Sequence, residues 1–276
     1  MNVHVEHNTR FDYDSDVVES VIDVRLGPRS DSHQRWRSFE IAVDPAGSFR
    51  RYADGLGNTA FLVTLAKPHR HLALRTVGEI ETLLADPFAM PAQPPAALGP
   101  STLADFLNPS PLVPAMSELE ALAVPHRPTS ADDTFAAVQR LMHLVNQRLE
   151  YVAGVTTVET TVVEVLGEPR GVCQDFAHLL LGLCRSVGIP ARYVSGYIVA
   201  DASGPRRGTR ASHAWVEAFT PTHGWRGFDP TNDLVASAYH VKLAIGRDYS
   251  DIPPHRGTFR GPANEVLSVE VTSAVA

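Results

Sequence analysis

The stretch Gly171-Val172-Cys173-Gln174-Asp175-Phe176 sets the reading of the chain. Phe176, Leu179, Leu180, Leu183 and Val187 repeat at helical spacing behind it, and Gly188 with Pro190 closes the pattern, so Cys173 stands at a helix start. Gly171 lets the backbone turn tightly there and keeps the thiol accessible. The partial positive charge of a helix N-terminus favours thiolate over thiol, and a nearby imidazolium adds to it. Cys184, among Leu and Val later in the same pattern, reads as a buried structural cysteine. The two sulfurs lie about 16 Å apart along the helix axis, too far for a disulfide.

Downstream come Ser212-His213-Ala214-Trp215 and Phe228-Asp229-Pro230-Thr231. Strands are expected over Arg192–Val199, His213–Phe219 and Trp225–Phe228, the last two joined by the turn Pro221–Gly224. A hairpin pivoting on Thr222-His223 pairs His213 with a residue near Asn232 and makes Asp229 roughly a diagonal neighbour of His213. Thiol, imidazole and carboxylate in this order supply the attacker, base and orienter of nucleophilic acyl transfer.

Working outward, residues 1 to about 85 read as strands: Val17–Leu26, Trp36–Val43, Thr59–Leu65 and Leu72–Glu79, separated by turn signals, as in an antiparallel sheet or small sandwich. Ten of the 21 prolines fall between Pro87 and Pro128, which predicts a surface linker with short helical pieces at Thr102–Leu107 and Ser117–Ala123. A helix follows, capped at Thr129 or Ser130 with Asp132 and Asp133 in its first turn and a buried stripe of Phe135, Val138, Met142, Val145 and Leu149. A last strand is expected at Val266–Val271. The division is therefore 1–85 β-rich, 86–128 linker, and 129–276 catalytic core including that strand.

The net charge of −7 gives no general attraction to nucleic acid or an anionic membrane. No apolar run approaches the roughly 18–20 residues that span a bilayer, and Met1–Asp16 is polar and acidic, without a signal-peptide core. With only two cysteines, a reducing, cytoplasmic location is expected and a structural zinc cluster is not.

Four segments carry a family resemblance: Gly171-Val-Cys-Gln-Asp-Phe-Ala-His178, Ile189-Pro-Ala-Arg-Tyr-Val-Ser-Gly-Tyr197, Ser212-His-Ala-Trp215 and Gly224-Trp-Arg-Gly-Phe-Asp-Pro-Thr-Asn232. Together they resemble the bacterial transglutaminase-like family. Asp54-Gly-Leu-Gly-Asn58 resembles its β-rich N-terminal domain, and Gly246-Arg-Asp-Tyr-Ser-Asp251 its C-terminal segment. The resemblance implies an α+β fold: a β-rich N-terminal domain, then a papain-like core whose Cys-bearing helix packs on an antiparallel sheet carrying His and Asp. It implies Cys173 as nucleophile, His213 as general base and acid, and Asp229 as the residue orienting His213. The Cys173 backbone N–H is the first oxyanion donor. Animal transglutaminases add an upstream tryptophan; no tryptophan lies between Trp36 and Trp215 here, and Tyr151 or Gln174 could replace it. Trp215 and Trp225 are cleft candidates, with packing the alternative.

Other residues have plainer readings. His178 reads as a helix-surface or packing histidine. His69 and His71 share a strand face with no third ligand placed, so no metal or other cofactor is expected. The loop bearing Arg206, Arg207 and Arg210 reads as solvated, or as an entrance for an acidic substrate. The expected activity is cleavage or transfer of an amide or peptide bond through a Cys thioester, peptidase or amidase first. An amine-accepting transamidase or ligase, and a non-catalytic binding module, are the alternatives. Open edges of the β-rich domain could support a homo-oligomer.

Overall fold

The computed structural model describes residues 1–93, 95, 99–200, 207–208 and 211–276. The first six strands are β1 (Asn2–Val17), β2 (Glu19–Val24), β3 (Gln34–Asp44), β4 (Ser48–Ala53), β5 (Thr59–Leu65) and β6 (His69–Thr82). Helices α1 (Pro100–Ala104), α2 (Ser117–Ala123) and α3 (Thr134–Arg148) follow, then β7 (Glu150–Tyr151), α4 (Val162–Gly167), β8 (Arg170–Gly171) and α5 (Cys173–Ser186). The rest of the chain is β9 (Ala191–Ile198), β10 (His213–Thr220), β11 (Gly224–Asp229), β12 (Leu234–Val235), β13 (His240–Gly246), β14 (His255–Arg260) and β15 (Glu265–Val275).

Two four-stranded antiparallel sheets, ordered β15-β1-β6-β3 and β14-β2-β5-β4, form a sandwich. Its interior is the apolar half of alternating strands: Val3, Val5, Phe11 and Tyr13 of β1 face Ile22, Val24, Phe61 and Val63. β1 lies in a segment read as merely polar and acidic. Its period-2 alternation, with His7 and Thr9 taking two of the buried positions, hides a strand behind low mean hydropathy.

The sandwich is closed by the end of the chain, which corrects the expected boundary. β15 pairs with β1 from Val3↔Val275 to Tyr13↔Glu265, and β14 pairs with β2. The last strand thus belongs with the N-terminal sheets and not with the catalytic core. The proline-rich segment also departs from the surface-linker reading, since Val113, Leu119 and Ala123 are buried in the core around α3 and α5. Proline there breaks long elements without preventing burial of the pieces between. Helix α3 begins at Thr134, a turn later than expected, with the Asp133 carboxylate accepting from the Thr129 amide.

The core sheet runs β12-β11-β10-β9-β13, all antiparallel. Helices α3 and α5 cover one face with Val138, Leu141, Phe176 and Leu180 against Val216 and Phe228. Tyr197, Val199, Val241 and Leu243 on the opposite side join the sandwich interior. The edge strand β13 is sealed by two side-chain amides from the N-terminal half. Gln34 Oε1 accepts from Lys242 N (2.8 Å) while its Nε2 donates to Lys242 O (2.6 Å). Asn58 repeats this with Ile245 N and O, both at 2.8 Å. Each amide stands in for a residue of a neighbouring strand, at Lys242 and at Ile245.

Candidate active site

Helix α5 begins at Cys173 because the chain before it is held by the carboxylate of Asp175. Asp175 Oδ2 accepts from the Val172 amide and from Thr156 Oγ1, each at 2.7 Å. A Cβ on Gly171 would lie 2.3 Å from that oxygen, so the glycine is required by the carboxylate packed against it. Burial pushes the Asp175 carboxyl up from its ordinary value, against its hydrogen bonds from Val172 and Thr156. The cap was overlooked in the sequence; an Asp at the third helical position beside a Gly two residues before the helix was the available signal. The amide of Cys173 is among the first-turn N–H groups that no helical carbonyl reaches.

Strand β10 places His213 and β11 places Asp229. The hairpin opposes Val216 with Phe228 and Thr220 with Gly224, one residue off the expected register. Continued along the strands, this puts Asp229 opposite Trp215 and on the face of His213. His213 Nε2 and Asp229 Oδ2 are 2.8 Å apart, with both side chains fully buried. Burial alone would pull the imidazole down; the Asp229 charge and hydrogen bond, with Cys173 beside it, push it up to about 10. Burial likewise opposes the Asp229 charge, and His213 and His240 hold its pKa far below the usual range.

Asp229 has further donors that were not singled out in the sequence. Asn232 Nδ2 donates to Oδ2 at 2.8 Å, and the amides of Thr231 and Asn232 donate to Oδ1 at 3.0 and 3.3 Å. His240 Nε2 stands 3.4 Å from Oδ2, with its Nδ1 accepting from the Ser237 amide. That acceptance places the proton of a neutral His240 on Nε2, facing the carboxylate. Asn232 is legible afterwards as the last residue of an Asp-Pro-Thr-Asn turn; His240, eleven residues beyond Asp229, carries no local signal.

Among the described residues His213 Nδ1 has no nitrogen or oxygen partner; Cys173 lies beside the imidazole and helps hold it charged, and the two line the same cavity of about 270 Å³. Trp215 does not line it. Its indole is 2% exposed and stacks on the His213 ring at 6.1 Å, with His240 edge-on at 5.2 Å. It forms the dry wall behind the imidazole, so the packing reading holds and the cleft reading does not. Trp225 sits away from this cavity, under the Arg192 guanidinium at 4.1 Å. Gln174 lines the cavity, although its Nε2 donates to Val158 O at 3.1 Å. Tyr151 is half-buried beside Gly171 through the β7–β8 pair and lies under the Arg207 guanidinium at 4.9 Å. Arg207 is held by Asn232 through its backbone N–H (2.9 Å), and Gly208 packs on His213. Arg206 and Arg210 lie outside the described residues.

The remaining candidates take structural places. His178 is wholly buried, not on the helix surface; its Nε2 accepts from the Tyr249 amide at 3.2 Å, and burial holds its pKa down. Asp248 accepts from the Leu112 amide at 2.8 Å and from Ser250, which ties the proline-rich segment to the back of α5. His69 meets Ser20 and the Lys67 carbonyl, while His71 meets Asp44. Cys184 is buried and its thiol is pushed up to about 12.

A half-buried Cys173 at a helix start beside a buried His213–Asp229 pair on an antiparallel sheet defines a papain-like, cysteine-dependent class of fold. Residues 123–230 match the transglutaminase-like superfamily and residues 3–81 the bacterial transglutaminase-like N-terminal region. The chain belongs to this family. An uncharacterized protein of Mycobacterium leprae is 32% identical, with 98% of each chain covered. A protein-glutamine gamma-glutamyltransferase of Pseudomonas aeruginosa is 35% identical over 100 residues, covering 33% of this chain and 15% of that one. A solved candidate cysteine protease from Cytophaga hutchinsonii superposes with a TM-score of 0.77 at 23% identity, covering 99% of this chain and 90% of that one. That likeness establishes a shared fold across the sandwich and the core.

Proposed function

We propose that the protein cleaves amide or peptide bonds through a thioester on Cys173, as a cysteine peptidase or amidase. The observation that carries this reading is the buried His213–Asp229 contact at 2.8 Å, with Cys173 beside the same imidazole in a shared cavity. In the proposed cycle the Cys173 thiolate attacks the amide carbonyl. The oxyanion forms beside the Cys173 amide, with Gln174 or Tyr151 as second donor. His213, protonated and held by Asp229, gives its proton to the departing amine, then takes one from the water that resolves the thioester. Two unpaired cysteines support a reducing, cytoplasmic setting.

The test is incubation with a peptide library, with products read by mass spectrometry. Wild type is expected to release amine and accumulate a thioester on Cys173. Undiminished cleavage by Cys173→Ala would sink the proposal. The likeness to a gamma-glutamyltransferase supports a second reading, in which an amine resolves the thioester. Added amine then diverts acid product to amide; a product ratio unmoved by amine leaves hydrolysis alone.

A further inference from the structure

A second cavity, of about 690 Å³, shares no lining residue with the one at Cys173. That volume falls within the roughly 300–1,000 Å³ of pockets that hold small organic ligands. Three segments far apart in the chain wall it: Ser32 and His33 ahead of β3, residues 83–91 with Pro95 after β6, and the β10–β11 hairpin between Phe219 and Arg226. Trp225, which the Cys173 cavity leaves out, lines this one. Most of the wall is apolar, and two of its side chains stand in water, Met90 at 67% and Leu83 at 42% exposed. Apolar groups gathered at the mouth of a cavity mark a ligand site, unlike ones scattered singly.

The floor of this cavity is a buried cation. Arg226 is 5% exposed. Its Nε donates to Pro87 O and its Nη2 to Ala89 O, both at 3.3 Å. Nη1 donates to Trp225 O at 3.3 Å and to His33 Nε2 at 3.2 Å. The guanidinium thus bridges the His33 wall and the 83–91 wall, which sets it at the bottom of the space between them. His33 accepts as a neutral imidazole, held down by burial and by Lys242. Four of the five N–H groups therefore meet neutral acceptors, and one on Nη2 is left over.

Among the described residues no carboxylate pairs with Arg226. Glu217 is the carboxylate whose charge reaches it, and Glu217 is already bonded to Arg192 at 2.6 Å and to Lys242. The neighbours of this wall outside the described residues are Pro94, Ala96, Ala97 and Leu98, none of them charged. Asp201, the one acid among the other such residues, comes in the chain after the Ile198 end of β9, whereas Arg226 stands level with the Ala191 end through Ala218. An arginine this buried is almost always paired. Asp86 on the same wall is exposed and accepts from the Phe88 amide at 2.9 Å, which disfavours a second negative charge at the mouth.

We propose that this cavity binds a small organic monoanion, a carboxylic acid with an apolar body, and that Arg226 takes the carboxylate. The body lies along Leu83, Met90, Phe219 and Trp225. The site is separate from the chemistry at Cys173 and stands whether or not the thioester reading does.

The experiment is calorimetric titration of the full chain with naphthylacetate and with naphthylacetamide, which share one shape and differ in charge. The acetate is expected to bind about tenfold more tightly than the amide or better, as a hydrogen bond to a charged group requires. Arg226→Gln should bring the two to within about twofold of each other. Because Arg226 also holds two carbonyls of the wall, a second variant leaves it in place. Ala85→Trp, at an exposed lining position, fills the cavity and should weaken both ligands by about tenfold. Cys173→Ala should bind the acetate as wild type does. Equal affinity for acetate and amide, no binding of either, or acetate binding unmoved in both Arg226→Gln and Ala85→Trp overturns the site. Loss of acetate binding in Cys173→Ala overturns it too, by placing the probe in the other cavity.

Discussion

Asp229→Asn isolates the charge that the site is built around. The side chain keeps its shape and can still accept from the Thr231 amide, but His213 loses its anion. His213 is raised from 6.5 to about 10 in the folded protein. At about 1.4 kcal/mol per pKa unit, this corresponds to about 5 kcal/mol of stabilisation, in line with the roughly 3–5 kcal/mol lost when one partner of a buried ion pair is removed. The shift is upward, so the contribution is fully present below pH 6.5 and is lost as pH rises through about 10. Urea unfolding of both proteins should therefore show a gap that is largest near pH 6 and shrinks by about 3–5 kcal/mol toward pH 10.5. A gap constant across that range would refute the reasoning, because it would mean that Asp229 does not hold His213 as imidazolium. Peptide cleavage in the variant should drop by about 10³–10⁴-fold, since an Asn amide presents the wrong partner to Nε2.

Other expectations follow from the same geometry. Gly171→Ala sets a Cβ against the Asp175 carboxylate and should cost about 1–3 kcal/mol in thermal or urea unfolding; it should also slow alkylation of Cys173, whereas an unchanged melt and rate would remove Asp175 as the cap that places the thiol. His240→Phe keeps an aromatic ring against Trp215 but withdraws a donor from Asp229, so a loss of about 1 kcal/mol should come with a changed pH–rate profile; an unaltered profile would make His240 a packing residue only. Glu217→Gln leaves Lys242 and Arg192 without the buried carboxylate that pairs with both, and urea unfolding should show a loss of about 3–5 kcal/mol. In limited alkylation at pH 8 with mass-spectrometric mapping, Cys184, pushed up to about 12, should stay unmodified until the protein unfolds, while Cys173 reacts; equal labelling would contradict the burial of α5.

Cys173, His213 and Asp229 were legible because each sits in local context that survives without tertiary structure. A helix start, a strand and a strand end are written in spacing and turn residues within a dozen positions. The same locality gave α5, β10 and β11, and missed their register by one residue, since a four-residue turn leaves that choice to packing. It failed where pattern and composition disagree. β1 is polar on average and a strand by alternation, and the proline-rich stretch is irregular yet buried at Val113 and Leu119.

By itself the sequence determined the helix that begins at the thiol, the alternating strands around it, and the chain order of thiol, imidazole and carboxylate. Only the tertiary structure decided what surrounds them: β15 returning to pair with β1, Gln34 and Asn58 sealing β13, and Asn232 and His240 completing Asp229. It also turned Trp215 away from the cavity and brought His7, His255 and Val269 to it. The reason is one of range. Propensity and periodicity act over a few residues, whereas these contacts join segments as far apart as Val3 and Val275, and only packing of the whole chain selects them.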